Sequence, residues 1–162
     1  MRSPFDTQVE MTQIVLPSHT NNHGTIFGGQ VAAWCDICAA VSAQRFCRGS
    51  VVTASMDQLH FLQPIRKGMV AIFLSQVNQA WRTSMEVGVR VLAEDPMTGE
   101  RKHCCSAYLT FVALDVDGNP TQVPELDLGN NAEWHRRSRE ADIRKAHRLD
   151  LKKLRLKEGD SD

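Results

Sequence analysis

Two features of the chain have the residue types and spacing for chemistry. The segment Asn21-Asn22-His23-Gly24-Thr25-Ile26-Phe27-Gly28-Gly29 runs into QVAAWCDICAAVSAQRF, and Asp36 follows Gly29 by seven positions. A glycine pair that opens a helix lets another molecule approach the backbone. The first-turn amides there are unpaired donors with the positive end of the helix dipole behind them. Such a corner suits an anion or a developing oxyanion, although the same glycines also serve a tight loop-to-helix turn. Asp36 sits between Trp34, Cys35, Ile37 and Cys38 on an Ala-rich stretch. A carboxylate in apolar company is rarely buried without a partner or a task, so Asp36 is either a hydrogen-bonded core residue or a general base.

Other polar residues carry less. Cys35-x-x-Cys38 has redox or metal spacing, but with no second pair it falls short of four ligands and reads as packing, so no metal is expected. His23 and His60 stand without a partnering His or carboxylate pattern, and Asp57 is expected to bond locally across a sheet. Arg66, Lys67 and Arg82 lie at strand entries, where a guanidinium or ammonium meets a phosphate as readily as water. In Trp134-His135-Arg136-Arg137-Ser138-Arg139 the neighbouring Glu133, Glu140 and Asp142 argue against a nucleic-acid contact.

The elements that must position these groups follow from periodicity. Residues 8–16 place Val9, Met11 and Gln13 on one side of a strand closed by Pro17. A mostly buried helix runs from near Gly28 to near Cys47, with Gly49 as its stop. The period then changes to two. Val51 to Leu62 and Met69 to Asn78 read as strands. Ser84, Glu86, Gly88 and Arg90 alternate with Met85, Val87, Val89 and Val91 in a half-buried strand, which turns through Asp95-Pro96-Met97-Thr98-Gly99 into His103 to Leu114. This is α+β, one helix against an antiparallel sheet. One helix covers only the middle of such a sheet, so its edges are expected to meet other subunits. Residues 131–157 read as a charged, solvated helix, weakly amphipathic through Ile143, Ala146, Leu149, Leu151 and Leu154.

The chain has 162 residues, enough for one domain, with 42% hydrophobic and 23% charged residues. Lys+Arg and Asp+Glu each number 19, which gives no support to general polyanion binding. No apolar run has the length of a membrane span, and the N-terminus lacks the apolar core of a secretory signal. Five cysteines, an odd number in apolar segments, fit reduced thiols in a cytoplasm.

In sum these motifs resemble a known family. Asn21-x-x-Gly24-x-x-Phe27-Gly28-Gly29 with Asp36, then Val51-Val52-Thr53-Ala54-Ser55-Met56-Asp57, then Arg82-Thr83-Ser84-Met85-Glu86-Val87, is similar to the hotdog-fold acyl-CoA thioesterases. The branch is that of the cytosolic acyl-CoA hydrolases and the brown-fat-inducible thioesterase, and the likeness spans roughly residues 8–114. It implies a hotdog fold in residues 1–120, a long helix wrapped by five or six antiparallel strands, followed by a charged linker and C-terminal helix in residues 121–162. It further implies hydrolysis of acyl-CoA without a cofactor, in a dimer that assembles as a trimer of dimers, with no nucleic-acid or membrane partner. Asn21 and Asp36 match the catalytic pair, contributed by opposite subunits, with Asp36 as base or nucleophile and the Gly29 amide on the oxyanion. By the same likeness Gly28 keeps the backbone clear, and Ala54, Ser55 and Met56 with Arg82, Thr83, Ser84 and Met85 line the coenzyme A channel. Arg136 and Arg137 are further candidates for the nucleotide end. Phe27 departs from relatives that carry His there. The competing reading is a non-catalytic acyl-CoA sensor on the same fold, which has no use for a buried base.

Overall fold

The computed structural model describes residues 1–158, so residues 159–162 of the expected tail segment lie outside the described residues. Two short 3-10 turns, Pro4–Thr7 and Pro17–His19, flank strand β1, Val9–Ile14. Helix α1 spans Gly28–Cys47, followed by β2 (Ser50–Phe61), β3 (Val70–Ala80), β4 (Ser84–Glu94), β5 (Arg101–Leu114) and helix α2 (Ala132–Glu158). All strand pairs are antiparallel and the order across the sheet is β1-β3-β4-β5-β2. The chain thus has the five-stranded form of the expected architecture, with β1 and β2 as its edges.

Helix α1 lies along one face of the sheet. Val31, Cys35, Cys38, Ala39, Ala43 and Phe46 are buried against inward residues such as Phe73, Val87, Leu109 and Phe111. A short polar chain locks helix to sheet: the Ser42 and Ser75 hydroxyls are 2.7 Å apart, and Ser75 donates to the Cys38 carbonyl at 3.0 Å. The helix ends on Arg48, not Gly49. Arg48 takes the left-handed conformation at φ 54° and its amide donates to the Gln44 carbonyl at 2.7 Å. Arg2 reaches back to the carbonyls of Arg45 and Phe46, placing a cation at the negative end of the helix dipole. The helix is less enclosed than its composition suggests: Ala33, Ile37, Val41 and Gln44, near four-residue spacing, form an exposed face.

The second face of the sheet is where the sequence reading needs correction. Glu86 and Gly88, expected on a solvated face of β4, are buried, because α2 packs over them. The expected face of Ile143, Ala146, Leu149, Leu151 and Leu154 points outward, with Ile143 69% exposed. The face laid on the sheet is instead Trp134, Ser138, Ala141, Arg144, Lys145 and Arg148. Arg144 forms two hydrogen bonds to the buried Glu86 carboxylate, at 2.9 and 2.7 Å, and stacks on Tyr108 at 3.7 Å. Arg148 pairs with Asp57 at 2.5 Å, so Asp57 is held by a helix 91 residues away and not by its own sheet. Long cationic side chains lay their apolar stems on a surface while their heads pair, and that is how a helix of low hydrophobicity is held there.

Candidate active site

Asn21 sits in the loop that enters α1, in a tight turn of its own making. Its Oδ1 accepts the backbone amides of His23 at 2.9 Å and Thr25 at 3.3 Å, and its Nδ2 donates to the Thr25 hydroxyl at 3.0 Å. One hydrogen of the Asn21 amide group is thereby used and the other is left to donate elsewhere. The loop is tied to the start of β3: Ile26 N–H bonds the Ile65 carbonyl at 2.8 Å, and Lys67 N–H the Gly24 carbonyl at 3.0 Å. This rigid seat also fixes the first turn of α1. The first intrahelical bonds come from Gln30 and Val31 to the Phe27 carbonyl, so the Gly28 and Gly29 amides precede the ladder and face outward as donors. Phe27, the N-cap residue, makes no side-chain capping bond. Gly29 is open, with nothing within 4 Å of where a Cβ would stand.

Asp36 lies two turns into α1, half-buried at the border of its uncovered face. Thr53 on the edge strand β2 donates its hydroxyl to Asp36 Oδ1 at 2.7 Å. Among the described residues Oδ2 has no partner, so one carboxylate oxygen is fixed and the other is free to take a proton or attack. Helical rise puts Asp36 about 12 Å along the axis from Gly28. Within one chain the Asn21 turn and glycine corner therefore form one cluster, and Asp36 with Thr53 forms another. Thr53 is the functional candidate that the sequence reading did not single out, although it immediately precedes Ala54.

The remaining expected site residues are dispersed across the sheet. Thr53 and Met85 both lie opposite Phe111, and Ser55 and Glu86 both lie opposite Thr110, so the 54–56 and 83–85 segments flank β5 at one level. Ala54 is exposed; Ser55, Met56, Thr83 and Ser84 are half-buried. Met85 is in the core at 0% exposure beside Cys47, which takes it out of a channel wall in the single chain. Arg82, Arg66 and Lys67 are exposed. Arg136 and Arg137 are engaged by acids: Glu133 meets both, at 2.6 and 2.9 Å, and Glu140 meets Arg136 at 2.5 Å. Hydrogen bonds from Arg136 and Arg137 hold the Glu133 carboxyl down at about 2. Cys35 and Cys38 are buried, and burial pushes both thiols up, the behaviour of packing residues. Among the described residues no group of three or more His, Cys, Asp or Glu converges as a metal site, and no helix is long and apolar enough to cross a membrane.

The chain is similar to several known proteins. A family model described as the thioesterase superfamily matches residues 23–100. A Bacillus subtilis protein named as an acyl-CoA thioester hydrolase is 45% identical over 121 residues, covering 75% of this chain and 70% of its own. The chain belongs to the thioesterase superfamily. Mouse acyl-coenzyme A thioesterase 11 is 40% identical over 91% of this chain, and the match spans 25% of that longer protein. Among solved structures, the Staphylococcus aureus acyl-CoA hydrolase in complex with butyryl coenzyme A and coenzyme A has a TM-score of 0.85 at 34% identity, covering 94% of each chain. A hexameric acyl-CoA thioesterase has a TM-score of 0.89 at 37% identity, covering 96% of this chain and 100% of its own. The S. aureus hydrolase has also been solved as Asn→Ala, Asp→Ala and Thr→Ala variants whose sites are spaced fifteen and seventeen residues apart. In this thioesterase-superfamily chain Asn21, Asp36 and Thr53 keep both intervals.

Proposed function

We propose that the protein hydrolyses acyl-CoA to a free carboxylate and coenzyme A, with Asp36 as the reacting carboxylate. The observation that carries this is the Asp36 side chain itself: Thr53 holds Oδ1, while Oδ2 is uncommitted on a helix face the chain leaves uncovered. The spacing shared with the three S. aureus variants supports the same trio. Asp36 takes the proton of a water that adds to the thioester carbonyl, or adds to that carbonyl directly. The carbonyl oxygen gains negative charge as the tetrahedral species forms, and the Gly29 amide at the positive end of α1 stabilises it. Collapse breaks the C–S bond; on the first route the thiolate takes back the proton held by Asp36 and leaves as coenzyme A with the free carboxylate, and on the second the thiolate leaves with a proton from water and a further water hydrolyses the mixed anhydride on Asp36 to the carboxylate.

Asn21 and Gly29 act together at the loop-helix corner, and Asp36 meets them from a second copy of the chain. The separation of the two clusters along α1 supports this, as do the exposed Ala33, Ile37 and Val41 and the free edge of β2. A dimer is then the smallest active unit, and the hexameric relative supports a trimer of dimers. The pantetheine arm runs between the 54–56 and 83–84 segments, with Gly28 keeping the backbone clear and Arg82 near the phosphates. The test is thiol release from acyl-CoA esters. Asp36→Asn, nearly isosteric, should fold and lose about 10²-fold or more in kcat. A variant with near wild-type kcat would make Asp36 a structural residue.

A further inference from the structure

A cavity of about 280 Å³ opens beside the first turn of α1, and its walls include Thr25, Ile26, Gly28, Phe61, Leu62 and Ile65. Its lining mixes two chemistries: Thr25, whose hydroxyl meets the Asn21 side chain, Gly28, which precedes the outward amide of Gly29, and Gln63 share it with the apolar Ile26, Phe61, Leu62, Pro64 and Ile65. Phe61, the last residue of β2, remains 48% exposed, and Leu62, next in the chain, is 61% exposed. Two large exposed apolar side chains in the wall of one cavity are not accounted for by the packing of the single chain.

The Phe61 ring lies across the start of the helix. A Cβ placed on Gly28 would come within 3.3 Å of Phe61 Cζ and 3.4 Å of Cε2, so the ring takes up the space that the missing side chain leaves. The walls are cross-tied: Leu62 N–H bonds the Cys104 carbonyl at 2.8 Å and Ile26 N–H the Ile65 carbonyl at 2.8 Å. The backbone of Ile26, Leu62 and Ile65 is thus held by hydrogen bonds, and the Phe61 ring fills space over Gly28.

We infer that this cavity receives the acyl chain and that Phe61, packed against Gly28, sets the chain length accepted. This rests on the hydrolase reading above and names its substrate class. A thioester carbonyl held at the Gly29 amide has its alkyl group directed into this cavity, and the Ile26, Phe61, Leu62 and Ile65 walls fit an aliphatic acyl group.

The experiment measures kcat/KM for straight-chain acyl-CoA esters from acetyl to palmitoyl with the full chain, Phe61→Ala and Phe61→Trp. The quantity read is the ratio of dodecanoyl to butyryl kcat/KM, in which the folded fraction of each variant cancels. Phe61→Ala should raise that ratio about tenfold or more and Phe61→Trp should lower it, since apolar pockets discriminate in steps of about 10- to 200-fold per methylene. A ratio within twofold of wild type in both variants overturns the inference and leaves the hydrolase reading standing. A wild-type chain that releases thiol from none of the esters overturns the hydrolase reading instead.

Discussion

At the scale of single residues, the proposed catalysis turns on how one carboxylate is held. The Thr53 hydroxyl fixes Asp36 Oδ1 at 2.7 Å and leaves Oδ2 free, so removing the hydroxyl should loosen the carboxylate without removing it. Thr53→Val keeps the strand shape and loses the donor. A hydrogen bond to a charged group contributes about 1.5–3 kcal/mol, so kcat should fall by roughly 10- to 100-fold while the fold persists. A Thr53→Val enzyme with unchanged kcat would show the bond to be incidental. Asp36 and the glycine corner were legible in the sequence, because a lone acid on an Ala-rich helix and a glycine pair opening it are unusual by type, whereas Asn21 was singled out only by the family resemblance. Thr53 was not, since nothing in a strand pattern tells which of its hydroxyls meets a helix seventeen residues away.

At the scale of elements, the two helices show opposite degrees of legibility. The bounds of α1 follow from its composition and the preceding glycines, yet Ala33, Ile37 and Val41 lie on an exposed face, because apolar composition alone does not tell which side of a helix the core covers. For α2 the position was legible and the buried face was not. That face is made of cations whose partners, Glu86 and Asp57, lie on β4 and β2. Arg144→Ala would leave Glu86, which is fully buried, without its counter-charge. It should destabilise the fold by about 3–5 kcal/mol, whereas Ile143→Ala, on the outward face, should stay within about 0.5 kcal/mol. Denaturant titration of both variants checks this, and the reverse order would mean that α2 packs by its leucines.

The buried thiols extend the stability argument to pH. Burial pushes the Cys47 and Cys105 thiols up to about 11, and Cys35 further. In the unfolded chain thiols titrate near about 8.5, so above that pH the unfolded state loses protons first. Stability from these groups is therefore constant below about pH 8 and falls as pH rises from about 8.5 toward 11. Thermal melts should show Tm declining above about pH 8.5, with a shallower decline in Cys105→Ala. Identical slopes for the two proteins would contradict the assignment.

At the scale of the whole molecule, the proposed site divides into two clusters on one chain, with an uncovered face beside one of them. The sheet edge at β2 and the exposed Ile37 and Val41 of α1 lie beside Asp36, and the Asn21 corner lies at the N-terminal end of the helix, two turns away. Association was an expectation of the sequence, because one helix cannot cover a five-stranded sheet; the layer that α2 supplies on the opposite face was not foreseen. The most direct measurement of the central claim is subunit complementation. Asn21→Ala and Asp36→Asn chains carrying different tags are co-expressed, and the mixed dimer is purified and assayed against both parents. If the pair acts across the interface, one of the two sites in the mixed dimer has both wild-type groups, and about half of the wild-type kcat per dimer returns from nearly inactive parents. A mixed dimer no more active than its parents would contradict the account, since Asn21 and Asp36 would then serve the same subunit.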